Sequence, residues 1–124
     1  MLIKETTTSI LTRTDESLFI VRVKAGAYET LELAQENGKI LLELKGEDPP
    51  LPILIDFSQG AGQHIDARKY YAEHSGAWCS KAAFLTNSPI TRVIGNIYMG
   101  LNKPKVPTQL FNTEEAARDW LLKH

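Results

Sequence analysis

Between residues 88 and 101 the apolar positions Ile90, Val93, Ile94, Ile97, Tyr98 and Leu101 recur at helical spacing, with Arg92, Asn96 and Met99 on the opposite face. Ser88 and Pro89 open this helix: a hydroxyl accepts from an orphan amide, and proline's missing N–H costs nothing in the first turn. Read the same way, the start of the chain predicts strands at Ser9–Arg13 and 18–24, joined as an antiparallel hairpin by the turn-favouring Thr14-Asp15-Glu16-Ser17. In the second strand Phe19, Val21 and Val23 alternate with Arg22 and Lys24, the pattern of a strand near a solvated edge.

Over 30–44, Leu33, Ala34, Ile40, Leu41 and Leu44 follow helical spacing, with Thr30 as cap and Glu29 and Glu32 near the positive end of the helix dipole. Asn37-Gly38 leaves two readings open. A continuous helix keeps the apolar stripe in phase, whereas a turn at Asn-Gly would end a short helix and begin a strand through Ile40, Leu41 and Leu42. Three prolines make 46–52 a loop, and 53–57 (Ile-Leu-Ile-Asp-Phe) is apolar almost throughout, as in a parallel strand covered on both faces. A helix over 66–75 carrying Ala67, Tyr70, Tyr71 and His74 then crosses to a strand over 81–86. After the helix from Ser88, a last strand at Thr108–Phe111 leads into a terminal helix over 113–122, capped by Thr113, with Ala117, Trp120 and Leu121 inward. The order predicts an α/β fold: a mixed five-stranded sheet, an N-terminal antiparallel hairpin followed by parallel strands, with four helices.

Composition narrows the class. A chain of 124 residues with 43% hydrophobic content fits one domain, 1–124, able to bury a core without staples. With 14 basic and 15 acidic residues interspersed and a net charge of -1, no basic face points to nucleic acid. Cys79 stands alone and forms no internal disulfide, and the first residues lack a signal peptide's apolar core, so a cytoplasmic protein is expected. No apolar run approaches the roughly 20 residues that span a bilayer, so the chain is not expected to be membrane-embedded.

Four segments resemble a known family: Leu54-Ile-Asp-Phe-Ser, Asp66-Ala-Arg-Lys-Tyr, Asn87-Ser-Pro-Ile-Thr-Arg and Glu114-Glu-Ala-Ala-Arg-Asp-Trp-Leu. They look like small bacterial SpoIIAA-like proteins of the STAS group, relatives in fold of anti-sigma-factor antagonists and grouped with lipid-binding CRAL-TRIO domains. The resemblance spans roughly 53–122. It implies a non-enzymatic module, self-associating as a homodimer, that binds an unknown protein or a small ligand; the alternative it implies is a carrier of a lipid or other apolar small molecule. One departure bears on function. Antagonists that act as phosphorylation switches carry a serine or threonine right after an aspartate at the start of the helix following the central strand. Here that region reads Gly62-Gln63-His64-Ile65-Asp66-Ala67, without a hydroxyl.

The candidate chemistry is sparse. Asp56 ends an apolar strand, where an unpaired carboxylate is costly, so it serves as a base or ligand anchor, or as a structural acid bonded to the next loop, Arg68 or Arg92. Ser58, His64 and Asp66 lack the spacing and the Gly-x-Ser-x-Gly elbow of a hydrolase triad. Cys79 lacks the cationic setting of a nucleophile beyond Lys81, and the three histidines lack the spacing of metal ligands. Gly60-Ala61-Gly62 follows a strand without the continuation of a phosphate loop, so no cofactor is expected. The site, if any, belongs at the carboxyl ends of the parallel strands, where Asp56, Ser58, Arg68, Asn87, Ser88 and Arg92 should gather.

Overall fold

The computed structural model describes residues 1–86 and 105–123. Six strands make the main sheet: β1 (Leu2–Glu5), β2 (Ser9–Arg13), β3 (Phe19–Val23), β5 (Leu51–Asp56), β7 (Cys79–Leu85) and β8 (Thr108–Phe111), in the order β1-β2-β3-β5-β7-β8. The pairs β1–β2 and β2–β3 are antiparallel, and from β3 onward every pair is parallel. A second, two-stranded sheet joins β4 (Tyr28–Glu29) to β6 (Gly62–Gln63). Among the described residues the α-helices are α1 (Leu31–Lys45), α2 (Ile65–His74) and α3 (Glu114–Leu122).

The main sheet has six strands where five were expected. The addition is β1, whose four residues are all exposed. It is held through its backbone ladder to β2 and carries no buried face that an apolar pattern would betray. Of the four expected helices, three are α1 to α3; the one over 88–101 lies outside the described residues. A second correction concerns β3, which lies between β2 and β5 and not near an edge. Its Arg22 is polar because it sits at the strand's end in register with Asp56, while Ile20, one step back on the same face, is buried.

Alternation divides two cores. Leu11, Phe19, Val21 and Ile53 pack with Leu41 and Leu44 of α1, with Trp78 and Cys79, and with Tyr70 and Tyr71 of α2. On the other face Leu18, Ile20, Leu54 and Ala83 pack beneath Ala117 and Leu121 of α3. Ile53 and Leu54 therefore serve opposite cores, which is why the central strand reads as continuously apolar. That strand begins at Leu51, inside the expected loop, because Pro52 stands at a register shift in the β5–β7 pairing, where a missing N–H is tolerated.

Helix α1 runs unbroken through Gly38. A Cβ there would overlap the Tyr70 hydroxyl and lie 3.1 Å from the Trp78 ring, so glycine lets α2 and the chain after it approach α1 closely. Thr30 holds the N-cap position through its carbonyl, which accepts from the Ala34 amide at 3.0 Å, and makes no side-chain cap bond. Thr113 does cap α3, its hydroxyl accepting from the Ala116 amide at 3.2 Å.

Candidate functional site

Parallel strands place alternate side chains on one face, and at the carboxyl ends of β3, β5 and β7 those are Val21 and Val23, Ile53 and Ile55, Ala82 and Phe84. Together they floor a cavity of about 400 Å3 on the face covered by α1 and α2. Leu41 of α1 and Trp78 also line it, and Phe57, Ser58, Gly60, Ala61 and Gly62 add a rim beyond the end of β5. That rim is laced by backbone bonds: Gly26 N–H to Gln59 O at 2.9 Å, Ala61 N–H to Ala27 O at 2.8 Å and His64 N–H to Glu29 O at 2.8 Å. Gly60 belongs there for steric reasons, since a Cβ would stand 2.9 Å from a methyl of Val23.

One end of the cavity is polar, and Glu29 is its centre. This carboxylate is only 2% exposed. Its Oε2 accepts from the Thr8 hydroxyl at 2.7 Å and the Asn37 amide at 2.7 Å, and its Oε1 from Gln63 Nε2 at 3.0 Å and the Tyr71 hydroxyl at 2.9 Å. Asn37 extends the network, its Oδ1 accepting from the Thr6 hydroxyl at 2.6 Å. A buried carboxylate with its acceptor positions filled is stable where a bare one is not. Burial first, and the Glu29 charge beside it, push the Tyr71 hydroxyl well above its ordinary pKa, so it remains a donor. Arg68 of α2 also lines the cavity.

The residues singled out from the sequence are divided by the fold. Asp56 and Ser58 meet: Asp56 Oδ1 accepts from both the amide, at 3.1 Å, and the hydroxyl, at 2.7 Å, of Ser58. The other oxygen of Asp56 pairs at 3.2 Å with Arg22, which also holds Glu114 at 2.8 Å. Ser58 and Arg68 line the cavity, and Asp56 does not. Asn87, Ser88 and Arg92 lie outside the described residues. Thr86 is buried and bonded through its amide to Phe111 O at 2.8 Å.

No hydrolase triad forms from Ser58, His64 and Asp66, because Ser58 donates to Asp56 and His64 caps α2, its Nδ1 accepting from the Asp66 amide at 3.1 Å. Burial pushes the Cys79 thiol up to about 12, which keeps it protonated and unreactive. Among the described residues no group of three His, Cys, Asp or Glu side chains is placed to hold a metal ion, and no helix is long and apolar enough to cross a membrane.

Sequence reasoning placed Glu29 at a helix dipole and missed its role. A signal was present in Asn37, an amide on the buried stripe of α1 between Ala34 and Leu41. A polar residue inside an apolar stripe requires partners from another element.

Two solved structures share this arrangement of sheet and helices. An uncharacterised protein of the DUF3478 family with a SpoIIAA-like fold, from Shewanella loihica PV-4, superposes with a TM-score of 0.64 at 15% identity, over 98% of this chain and 96% of its own. The anti-sigma factor antagonist SpoIIAA in its unphosphorylated form superposes with a TM-score of 0.59 at 15% identity, over 94% of this chain and 99% of its own. The chain thus has the SpoIIAA-like α/β fold. Residues 12–124 match the family described as a domain of unknown function, DUF7793, and the chain belongs to that family. Among curated proteins none matches.

Proposed function

We propose that this protein is a non-enzymatic, STAS-like binding module that lacks the phosphoserine switch and holds an apolar small molecule between its sheet and the α1–α2 layer. The observation that carries this reading is the cavity: about 400 Å3, floored by six apolar side chains from three strands and polar at one end. Its size falls within the range typical of ligand sites, roughly 300–1,000 Å3, and an apolar lining with a few fixed polar groups is their usual make-up. The absence of a switch is supported at the start of α2, where Ala67 follows Asp66 and is fully buried. A second reading, a module that pairs with a protein or a second copy, draws on β1, which leaves Leu2 and Ile3 exposed on an edge strand.

The cavity is tested by native mass spectrometry of the protein purified from its own cells, and by titration with an environment-sensitive apolar dye. A co-purifying small molecule and one-to-one dye binding are expected. Ala82→Leu, which adds bulk to the cavity floor, should weaken dye binding about tenfold or more in a protein that still melts cooperatively. Dye binding that is absent, or unchanged by Ala82→Leu, would overturn the reading.

A further inference from the structure

One edge of the main sheet is β1, and its pairing with β2 fixes which of its backbone groups are free. The Thr6 amide donates to Ser9 O and the Lys24 amide to Thr8 O, each at 2.8 Å. Bonded pairs recur at every second residue of an antiparallel ladder. In the registers Lys4↔Leu11 and Ile10↔Arg22 the even residues of β1 therefore bond to β2, and the odd ones turn away from it. The amides and carbonyls of Ile3 and Glu5 thus face outward, with no partner among the described residues. Two apolar side chains stand beside them, Leu2 at 55% and Ile3 at 60% exposure.

A strand added to this edge must offer the same alternation of free groups. A second copy of β1 running antiparallel does so by symmetry, and side chains directly opposite each other then share a face of the sheet. Charge selects the register. A two-fold axis at Lys4 or at Glu5 sets like charges directly opposite each other, which is destabilising, and an axis at Leu2 leaves little of the strand overlapped. An axis at Ile3 joins the two Ile3 residues through a pair of backbone bonds, brings each Glu5 amide to the Met1 carbonyl of the other copy, and sets Lys4 opposite Leu2.

Lys4 then gains a complement from α1. It lies on the α1 face, since its register partner Leu11 packs with Leu41 and Leu44. Gly38 turns one side of α1 to Tyr70 and Trp78, and Glu36 turns the other to the β1–β2 turn, accepting from the Thr7 amide at 3.2 Å. Glu43, seven residues on, shares that outer side. Its level is set by Arg13, the register partner of Leu2, which donates to the neighbouring Leu44 O at 2.8 Å. Lys4 and Glu43 are both exposed, and neither enters an ion pair among the described residues. Resting on the edge-strand reading above, we infer that β1 is a self-pairing edge: two copies join antiparallel about Ile3 into one continuous sheet, with Lys4 of each beside Glu43 of the other. So short an interface makes a weak dimer, forming at roughly 10 µM to 1 mM.

Sedimentation equilibrium of the full chain across that concentration range should show monomer and dimer in exchange. Ile3→Pro removes an outward amide that β2 does not use, a change that edge strands accept, and should abolish the dimer while unfolding stays cooperative. Lys4→Glu and Glu43→Lys should each weaken pairing about three- to tenfold and together restore it. Both are surface changes, so they report even if Ile3→Pro does not fold. Under mild oxidation Ile3→Cys should cross-link, because Cα atoms of a bonded pair stand about 5.5 Å apart, whereas Lys4→Cys, on a diagonal of about 7–8 Å, should not. The native Cys79 is buried and stays out of the reaction. A chain that is monomeric throughout overturns self-pairing and leaves β1 open to a foreign strand. A dimer indifferent to Ile3→Pro and to the charge changes overturns the edge-strand reading itself. Faster linking through Lys4→Cys overturns the register, and growth beyond the dimer overturns the two-fold in favour of β1 meeting β8, the other edge among the described strands.

Discussion

Glu29 draws its donors from separate segments: Thr8 from the turn between β1 and β2, Asn37 from α1, Gln63 from β6 and Tyr71 from α2. Each donor is neutral, so the carboxylate is solvated by the protein much as water would solvate it. Glu29→Gln tests this directly. The amide offers one acceptor oxygen, so the donors facing its nitrogen lose their partner while the shape is conserved. The expected cost is about 2–6 kcal/mol in urea unfolding, the sum of two unsatisfied buried groups. An unchanged midpoint would mean that the network rearranges freely. None of these partners is legible from the residues around Glu29, which look like the start of a helix.

Helix α1 poses the opposite case, a local rule overridden by packing. Glycine inside a helix costs about 1 kcal/mol relative to alanine, so Gly38→Ala ought to stabilise α1 on propensity alone. The neighbouring Tyr70 hydroxyl and Trp78 ring leave no room for the methyl. Gly38→Ala should therefore destabilise the protein by about 1–3 kcal/mol. Adding Tyr70→Phe, which removes the overlapping oxygen, should recover part of the loss; additive losses in the double mutant would show that the clash lies elsewhere. The sequence left the helix through Asn37-Gly38 in doubt because Asn-Gly is also a turn pair, and the resolution came from α2 packed against it. β1 shows a related limit, since a strand with no buried face carries no alternation to read.

Helix α3 is clamped to the carboxyl end of the sheet by an ion-pair network. Arg22 bridges Asp56 and Glu114, and Arg118 joins Glu114 to Glu16. The hydrogen bond from Arg22, more than any other cause, holds the Glu114 carboxyl below its ordinary value of 4.5. A carboxyl lowered in the folded state contributes stability that is complete above its unfolded value and disappears as pH falls through the folded one. Glu114→Gln should thus lower stability at pH 7 by about 0.5–1 kcal/mol, a modest figure because the network is partly exposed and screened. The gap between variant and wild type should close below pH 4.5. A gap of constant size down to low pH would assign the loss to packing.

Local pattern is what the chain records, and what it predicted here was local: the two-sided burial of Ile53 and Leu54, the cap at Thr113, the strand at Thr108–Phe111 and the α/β order of elements, while the SpoIIAA-like kinship rested on the resemblance of four short segments. Asp56 was legible as an acid in need of partners, and its bonds to Ser58 lie two residues away. Its pairing with Arg22 was not legible, because the two meet only through the register of β3 on β5. The same holds for the cavity. It is the space left between a sheet and two helices whose facing residues, from Val21 to Phe84, are far apart in the chain, and no spacing within a segment records how much room several segments leave among them.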